Sequence, residues 1–355
     1  MKALVLSGGS GTRLRPFSHS MPKQLIPIAN KPVLEYVLEN IQDIGVRHVG
    51  IITGDRIEHI GAAVGDGSRF GLDVTLLRQD APRGLADAVR VARDFLGDDD
   101  FVMYLGDNML LPGIEDAAAG FRAQRPDAQV LVHKVPDPRA FGVVELASDG
   151  SVARLVEKPR EPRSDLALIG VYFFTPAIHD AIAAIGPSAR GELEITDAIQ
   201  ELLVRGALVK AVEYDGYWKD TGEVGDVLEC NRKVLDGLRG RVEGHVDEHS
   251  RLSGDVVIEA GARVVRSRIT GPAVIGAGTV IQDSQISAYT SVGAGCVLSE
   301  AGLGDSIVLD GARLSGVRGI ADSLIGRSAT VAAAPVSAAG HRIVIGDHAG
   351  VEVAA

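Results

Sequence analysis

LVLSGGSGTRLRP, residues 4 to 16, decides how the rest of the chain is read. It opens as an apolar strand, Ala3 to Leu6, and runs into Gly8, Gly9 and Gly11, followed by Thr12, Arg13 and Arg15. Glycines directly after a strand let bare backbone N–H groups approach a ligand closely. The two arginines suit a bidentate grip on phosphate oxygens. From Met1 to Leu34 the chain holds Lys2, Arg13, Arg15, Lys23 and Lys31 but no Asp or Glu, whereas as a whole it carries a formal charge of −11. An all-basic stretch in an acidic protein predicts a polyphosphate site, because the field has to be positive only there. Two common phosphate loops are excluded. No Gly-Lys-Ser/Thr follows at P-loop spacing, and Leu14 stands where the dinucleotide fingerprint needs its third glycine.

Outward from that stretch, residues 1 to about 135 alternate apolar runs with helical patterns. The runs are KALVL, HVGIIT (48 to 53), DVTLL (73 to 77), FVMYLG (101 to 106) and QVLVH (129 to 133); Pro32 to Ile44 and Gly84 to Phe95 read as helices between them. This alternation predicts an α/β fold, a Rossmann-like mixed and mostly parallel sheet with helices on both faces, whose ligands bind at the carboxyl ends of strands. From about 140 to 240 the pattern changes. A hairpin turning at Asp149-Gly150, a strand in LIGVYFFT, helices at about 176 to 184 and 195 to 204, a strand at 208 to 214 and a closing helix from Gly225 to Leu238 are expected to join the same sheet.

Beyond about 250, Gly, Val, Ile and Ser dominate. Val274, Val280, Ile286, Val292 and Leu298 recur every sixth residue, and Ile269, Ile275 and Ile281 keep the same step on a neighbouring position. An apolar residue at every sixth place with small residues between predicts a hexapeptide-repeat β-helix. The period blurs after about 310 and resumes weakly near Ile343 to Val351. The expected organisation is therefore residues 1–240 as one domain and 241–355 as a second, which suits a chain of 355 residues with 46% hydrophobic content.

The motifs occur in a family-like order: GGSGTRLRP, PKQLIPIANKP (22 to 32), RQDAPRGLADA (78 to 88), LGDN (105 to 108), FGVVE (141 to 145), VEKP (156 to 159), GVYFF (170 to 174), GELEITDAI (191 to 199) and YWKDTG (217 to 222). As a set they resemble the sugar-phosphate nucleotidylyltransferases, and within them the long-form glucose-1-phosphate thymidylyltransferases, which add a C-terminal left-handed β-helix. The resemblance covers nearly the whole chain. It implies nucleotidyl transfer from dTTP to glucose 1-phosphate with release of pyrophosphate. Such a reaction needs positioning and charge neutralisation, because the attacking phosphate oxygen is already ionised at neutral pH. No Ser, Cys or His nucleophile is required, and none of the nine histidines falls into such a constellation at these motifs.

Residue by residue, the resemblance places Arg13 and Lys23 on the triphosphate as the catalytic cations. It places Gly8, Gly11, Thr12 and Gln24 against the nucleotide, and Asp107 and Asp220 as ligands of Mg2+, an ion that typically takes one or two protein carboxylates. No acid lies near Arg13 and Lys23 in sequence, which disfavours an ordinary salt bridge for them. Gln79, Pro82 and Gly84 are expected to read the base. A Gln amide and backbone groups suit the imide edge of thymine and of uracil alike, so UTP remains open as donor. Asn108, Gly142, Glu157, Lys158 and Val171 are expected to hold the sugar phosphate, with Glu194 a further candidate. Ser7 and Asp87 depart from the family pattern, and Asp87 adds an acid beside the base loop.

Two cysteines, Cys230 and Cys296, argue against a disulfide framework and fit a reducing cytoplasm. The expected partners are small-molecule substrates and further copies of the chain. A pI near 5.3 argues against nucleic acid, and the sequence holds no run long and apolar enough to span a membrane. An acyltransferase β-helix is disfavoured by too few clean coils and no clear histidine within Ile258 to Leu298. A non-catalytic paralogue is disfavoured because Arg13, Lys23 and both aspartates are present.

Overall fold

The structure is a computed structural model and describes residues 1–9, 11–334 and 347–352. The chain divides into two compact units. Met1–Ser10 and Val33–Asp220 form the first, and Gly11–Pro32 and Thr221–Ala355 the second.

The first unit is built on a nine-stranded mixed sheet. Lys2–Ser7 lies between His48–Thr53 and Phe101–Leu105, parallel to both, and Asp73–Arg78 extends this parallel half beyond His48–Thr53. The apolar runs that predicted these strands are buried from Ala3 to Leu6 and from Phe101 to Tyr104. Leu166–Phe174 then turns the sheet antiparallel. It pairs with Phe101–Leu105, Ala128–Lys134 and Gly142–Leu146, and the hairpin to Val152–Glu157 closes that edge. The long strand shifts register between Leu168 and Tyr172, where Gly170 adopts a positive φ of 78°. A bulge of this kind bends a strand and re-aims its neighbours. Val209–Glu213 runs parallel to Ala128–Lys134 on the remaining edge. Helices Leu85–Val91, Ala177–Ala184 and Ile195–Val204 bury Ala88, Val89, Ile178, Ala181, Ile199 and Leu202 against the same core as Leu4, Met103 and Phe174.

One expected helix is two: Leu85–Val91 and Arg93–Leu96 are separated at Ala92. A second, two-stranded ribbon pairs Asn108–Leu111 antiparallel with Tyr217–Asp220. It joins residues more than a hundred positions apart, and sequence periodicity gives no sign of it.

In the second unit the short strands from Arg241 to Ala332 stack in three parallel sheets, the arrangement of a left-handed β-helix. One coil carries the chain from Arg251 to its neighbour Arg268, and the next carries it from Arg268 to Gln285. These two coils thus fall one residue short of three full hexapeptides, so one of their three faces is shortened. The inward series is Ile258, Val264, Ile269, Ile275, Ile281, Ile286, Val292 and Leu298, all fully buried. The strict six-residue series was expected to include Val274 and Val280. The register instead slips by one between Ile281 and Ile286. Val274 packs outside the prism against Val257 and Leu235 of helix Val224–Asp236, and Val280 is only half-buried. The weak return of the period near Ile343 lies, through residue 346, outside the described residues.

Gly11–Pro32 is tied to the rest of this unit by side-chain hydrogen bonds. Asn231 Oδ1 accepts from Ala29 N at 2.9 Å and from Ser291 Oγ at 2.6 Å, while Asn231 Nδ2 donates to Tyr289 O at 3.2 Å. Asn30 Nδ2 donates to Val292 O at 2.8 Å. Ala29 and Asn30 both have positive φ, as a tight turn between Pro27–Ile28 and Lys31–Pro32 demands.

Candidate active site

Within the first unit the sequence-predicted residues gather at strand ends in three linked groups. The first is the base loop. Gln79 follows Asp73–Arg78 directly, and its N–H continues the ladder to Thr53 O at 2.8 Å. Its side chain reaches Gly8: a Cβ placed on Gly8 would lie 3.8 Å from Gln79 Oε1. Gln79 Nε2 donates to Asp87 Oδ2 at 2.7 Å and, more weakly, to Gly84 O at 3.4 Å. Asp87 is fully buried at the start of Leu85–Val91, where a carboxylate favours the helix N-terminus. Arg90 donates to its Oδ1, and Arg83 Nε lies 3.7 Å from its Oδ2. Gly84 has φ 105° and ψ 170°, and a Cβ there would lie 2.3 Å from Leu193 O. Pro82 is exposed beside it.

The second group is the carboxylates. Asp107 follows Phe101–Leu105 and is 8% exposed. The ribbon sets Asp220 opposite Asn108, the neighbour of Asp107. Opposed residues of an antiparallel pair sit about 4.5–5.5 Å apart at Cα. Asn108 Oδ1 accepts from Trp218 Nε1 at 2.7 Å, and Asn108 Nδ2 donates to Asp107 Oδ1 at 3.1 Å. Gly106 tucks under the first strand, where a Cβ would lie 2.7 Å from Ser7 Oγ. Gly170 closes on the same place, with a prospective Cβ 3.1 Å from Asn108 Cγ.

The third group surrounds Glu157. Gly142 pairs with Glu157, and a Cβ on Gly142 would sit 3.1 Å from Glu157 Oε2 and 2.9 Å from Thr196 Cγ2. Thr196 Oγ1 donates to Glu157 Oε2 at 3.3 Å, and Arg190 NH1 reaches both Glu157 Oε1 at 3.4 Å and Glu194 Oε1 at 3.3 Å. Burial pushes the Glu157 carboxyl above the usual range and the nearby Glu194 charge adds to this, against the pull of Lys158 and Arg190. Lys158 has φ 41°, an uncommon conformation for a residue with a side chain, and its Nζ is 3.9 Å from Glu157 Oε1. The groups are connected. Leu193 N donates to Arg83 O at 2.8 Å and Leu193 O accepts from Ala86 N at 3.0 Å, so the segment carrying Glu194 also braces the base loop. Phe141, beside Gly142, meets the Trp218 ring edge-on at 5.4 Å.

Val171, also expected at the sugar, follows Gly170 in Leu166–Phe174. Its side chain is fully buried in the sheet, paired with Tyr104.

In the second unit, Gly11 has φ 61° and packs over Lys23, with a prospective Cβ 3.3 Å from Lys23 Cβ. Thr12 opens the short helix Thr12–Leu14 that carries Arg13, and Gln24 is buried. The expectation that Arg13 lacks an ordinary salt bridge is corrected. Arg13 NH1 lies 3.0 Å from Glu223 Oε1, a partner 210 positions along the chain and so invisible in the local sequence. Both side chains are more than half exposed, and exposed pairs hold weakly enough to exchange for a stronger anion.

Trp218, Thr196 and Arg190 were not among the expected site residues, yet they bond Asn108 and Glu157 there, and Asp87, noted only as an added acid, bonds Gln79. Trp218 had a signal, being the only tryptophan of the chain and lying inside YWKDTG.

A family model described as nucleotidyl transferase matches residues 2–237. The chain is 54% identical over 353 residues to a glucose-1-phosphate thymidylyltransferase of Streptomyces griseus, covering 99% of each chain. The chain belongs to the nucleotidyl transferase family, among the glucose-1-phosphate thymidylyltransferases. A second relative of that name, from Streptomyces antibioticus, is 55% identical over 354 residues with 99% of each chain covered. A solved Bacillus anthracis structure named for the same activity, in complex with sucrose, superposes with a TM-score of 0.63 at 33% identity. It covers 68% of this chain and 98% of its own. The long-form expectation agrees with the full-length matches and with the stacked coils. Among the described residues no helix is long and apolar enough to cross a membrane.

Proposed function

We propose that the chain transfers a thymidylyl group from dTTP to α-D-glucose 1-phosphate. A phosphate oxygen of the sugar attacks the α-phosphorus, the bond to the β-phosphate breaks, and pyrophosphate leaves. The observation that carries this reading is the carboxylate pair, Asp107 beside the ribbon that sets Asp220 opposite Asn108. It is supported by full-length identity to enzymes of that name. The donor chemistry fits magnesium, a hard cation that takes one or two protein carboxylates and completes its shell with phosphate and water. Asp107 and Asp220 would hold it. When bound, the ion neutralises charge on the triphosphate.

The chain's own residues do the rest. Gly8 and Gly11 allow the backbone close to phosphates, with Thr12 and Gln24 as further nucleotide contacts. Arg13 and Lys23 offset the charge that builds on the leaving pyrophosphate. Gln79, Pro82 and Gly84 hold the base. Glu157 accepts from sugar hydroxyls, Lys158 meets the sugar's phosphate, and Asn108, Gly142 and Val171 shape that side. In this reading residues 1–240 carry catalysis and 241–355 assemble the homo-oligomer, through parallel coils whose open ends invite self-association. Buried cysteines not joined in a disulfide, Cys230 and Cys296, suit the cytoplasm.

Pyrophosphate release with a panel of dTTP, UTP, CTP, ATP and GTP at fixed glucose 1-phosphate tests the reading. Activity is expected with dTTP first and UTP second, since both share one imide edge. Preference for a purine nucleotide would overturn it. Asp107→Asn is expected to abolish turnover while leaving the circular dichroism spectrum intact, and wild-type turnover in that variant would remove the metal assignment.

A further inference from the structure

A glutamine amide can read a base in two opposite ways. With Oε1 forward it accepts from a donor, and with Nε2 forward it donates to an acceptor. Thymine and uracil present a donor at N3, whereas cytosine, of the same ring size, presents a lone pair there. Whatever sets the Gln79 amide therefore sets which pyrimidine is taken. The structure holds that setting in one buried group. A carboxylate can only accept, and Asp87 Oδ2 takes Gln79 Nε2 at 2.7 Å. Gly84 O, also an acceptor, lies on the same Nε2 at 3.4 Å. The Oε1 end is left turned toward Gly8, at the end of the first strand. Asp87 cannot swing away, since it is fully buried, Arg90 holds its other oxygen and Arg83 lies 3.7 Å from the first.

We propose that Asp87 is a positioning residue for base selection: it locks the Gln79 amide with its oxygen forward, so that the site accepts from the N3–H of thymine or uracil and turns its lone pairs on cytosine. The proposal rests on Gln79 as the base reader. It adds that the acid eight positions later, which touches no substrate, decides what Gln79 accepts.

The test compares dTTP with dCTP by kcat/KM in the full-length enzyme, alongside calorimetric binding of dTDP and dCDP, which needs no turnover. Asp87→Asn removes the lock, because an amide at that place can receive either end of Gln79. The preference for dTTP is expected to fall by about ten- to a hundredfold, in KM rather than kcat. Gln79→Glu combined with Asp87→Asn moves the charge by one side chain. Both oxygens at position 79 are then acceptors and the preference is expected to return, a rescue that a merely structural role would not produce. If Asp87→Asn leaves the preference intact while Gln79→Ala collapses it, the proposal fails and Gln79 stands as the reader. If Gln79→Ala leaves the preference intact, the reading of Gln79 fails first and the proposal with it. Should Asp87→Asn alone not fold, the charge-conserving double variant decides: loss of preference there overturns the proposal.

Discussion

Replacing Gly84 by alanine should cripple the base loop, and the geometry lets the size of the effect be worked out. With φ 105° and ψ 170°, Gly84 occupies a region open essentially to glycine alone, which costs a residue with a Cβ about 1–3 kcal/mol. The new Cβ would also stand 2.3 Å from Leu193 O and 2.8 Å from Leu193 N, both backbone atoms that cannot rotate aside. The two segments must part, and this strains two hydrogen bonds, Ala86 N to Leu193 O at 3.0 Å and Leu193 N to Arg83 O at 2.8 Å. Each is worth about 0.5–1.5 kcal/mol net. The combined loss is about 2–6 kcal/mol if both bonds break. Gly45 provides the control. It has φ 73° but nothing within 4 Å of a prospective Cβ, so Gly45→Ala should cost only about 1 kcal/mol. Urea unfolding measures the difference, and hydrogen exchange at Ala86 and Leu193 localises it. The KM for dTTP should rise at least about tenfold, because Gln79 and Asp87 flank the displaced turn. Equal destabilisation by the two alanines, with an unchanged KM, would refute the reasoning.

Trp218→Phe keeps the ring against Phe141 but deletes the donor to Asn108 Oδ1, leaving a buried acceptor unpaired at a cost of about 1–3 kcal/mol. Saturation kinetics should show a raised KM for glucose 1-phosphate with the KM for dTTP unmoved; a change confined to dTTP would place Asn108 elsewhere. Glu157, whose carboxyl is raised by burial, binds its proton more tightly folded than unfolded, so its contribution to stability falls as pH climbs from about 4.5 through the raised folded value. Glu157→Gln should therefore gain stability relative to the parent across that rise while losing sugar-phosphate affinity, and thermal melts of both proteins at stepped pH would expose a flat difference if burial is not the cause. In the β-helix, Ile281→Ala should cost about 2–5 kcal/mol because the side chain fills the prism, whereas Val280→Ala, one place along and half-buried, should cost under about 1.5 kcal/mol. Melting temperatures that rank the two the other way round would mean that the inward register is misassigned.

The strands of the first unit were legible because each is a short apolar run bounded by turn residues, and a strand's burial needs nothing but its own composition. KALVL, HVGIIT and FVMYLG fall on Lys2–Ser7, His48–Thr53 and Phe101–Leu105. The β-helix was legible as a period but not as a register. The coils from Arg251 to Arg268 and from Arg268 to Gln285 are one residue short of three hexapeptides, so a count by sixes drifts there and lands on Val280, where the prism is filled by Ile281. Long-range pairings left no local trace. The ribbon of Asn108–Leu111 with Tyr217–Asp220 and the Arg13–Glu223 pair depend on how distant segments meet, and no spacing encodes that. Of the first unit's expected contacts, Gln79, Asn108 and Glu157 lie at strand ends, but the motif could not say that Leu193 joins the base loop to the Glu157 cluster.

The two amides of the first unit's site show why residue type alone underdetermines a role. Gln79 and Asn108 each give their NH2 end to a neighbouring acid, Asp87 at 2.7 Å and Asp107 at 3.1 Å. They differ in what becomes of the oxygen. Asn108 Oδ1 is taken by Trp218 at 2.7 Å, so both ends of that amide are engaged inside the protein and Asn108 acts first as a strut between the ribbon and Asp107. Gln79 Oε1 is turned to the strand end at Gly8 and keeps its accepting capacity for a ligand. The same side-chain chemistry thus serves position in one place and readout in the other. The deciding group each time is the partner of the oxygen, and at Asn108 that partner is a single indole N–H supplied by a residue 110 positions away. Removing that indole hydrogen takes away the bond that fixes Asn108 Oδ1, which is why Trp218→Phe is expected to raise the KM for glucose 1-phosphate.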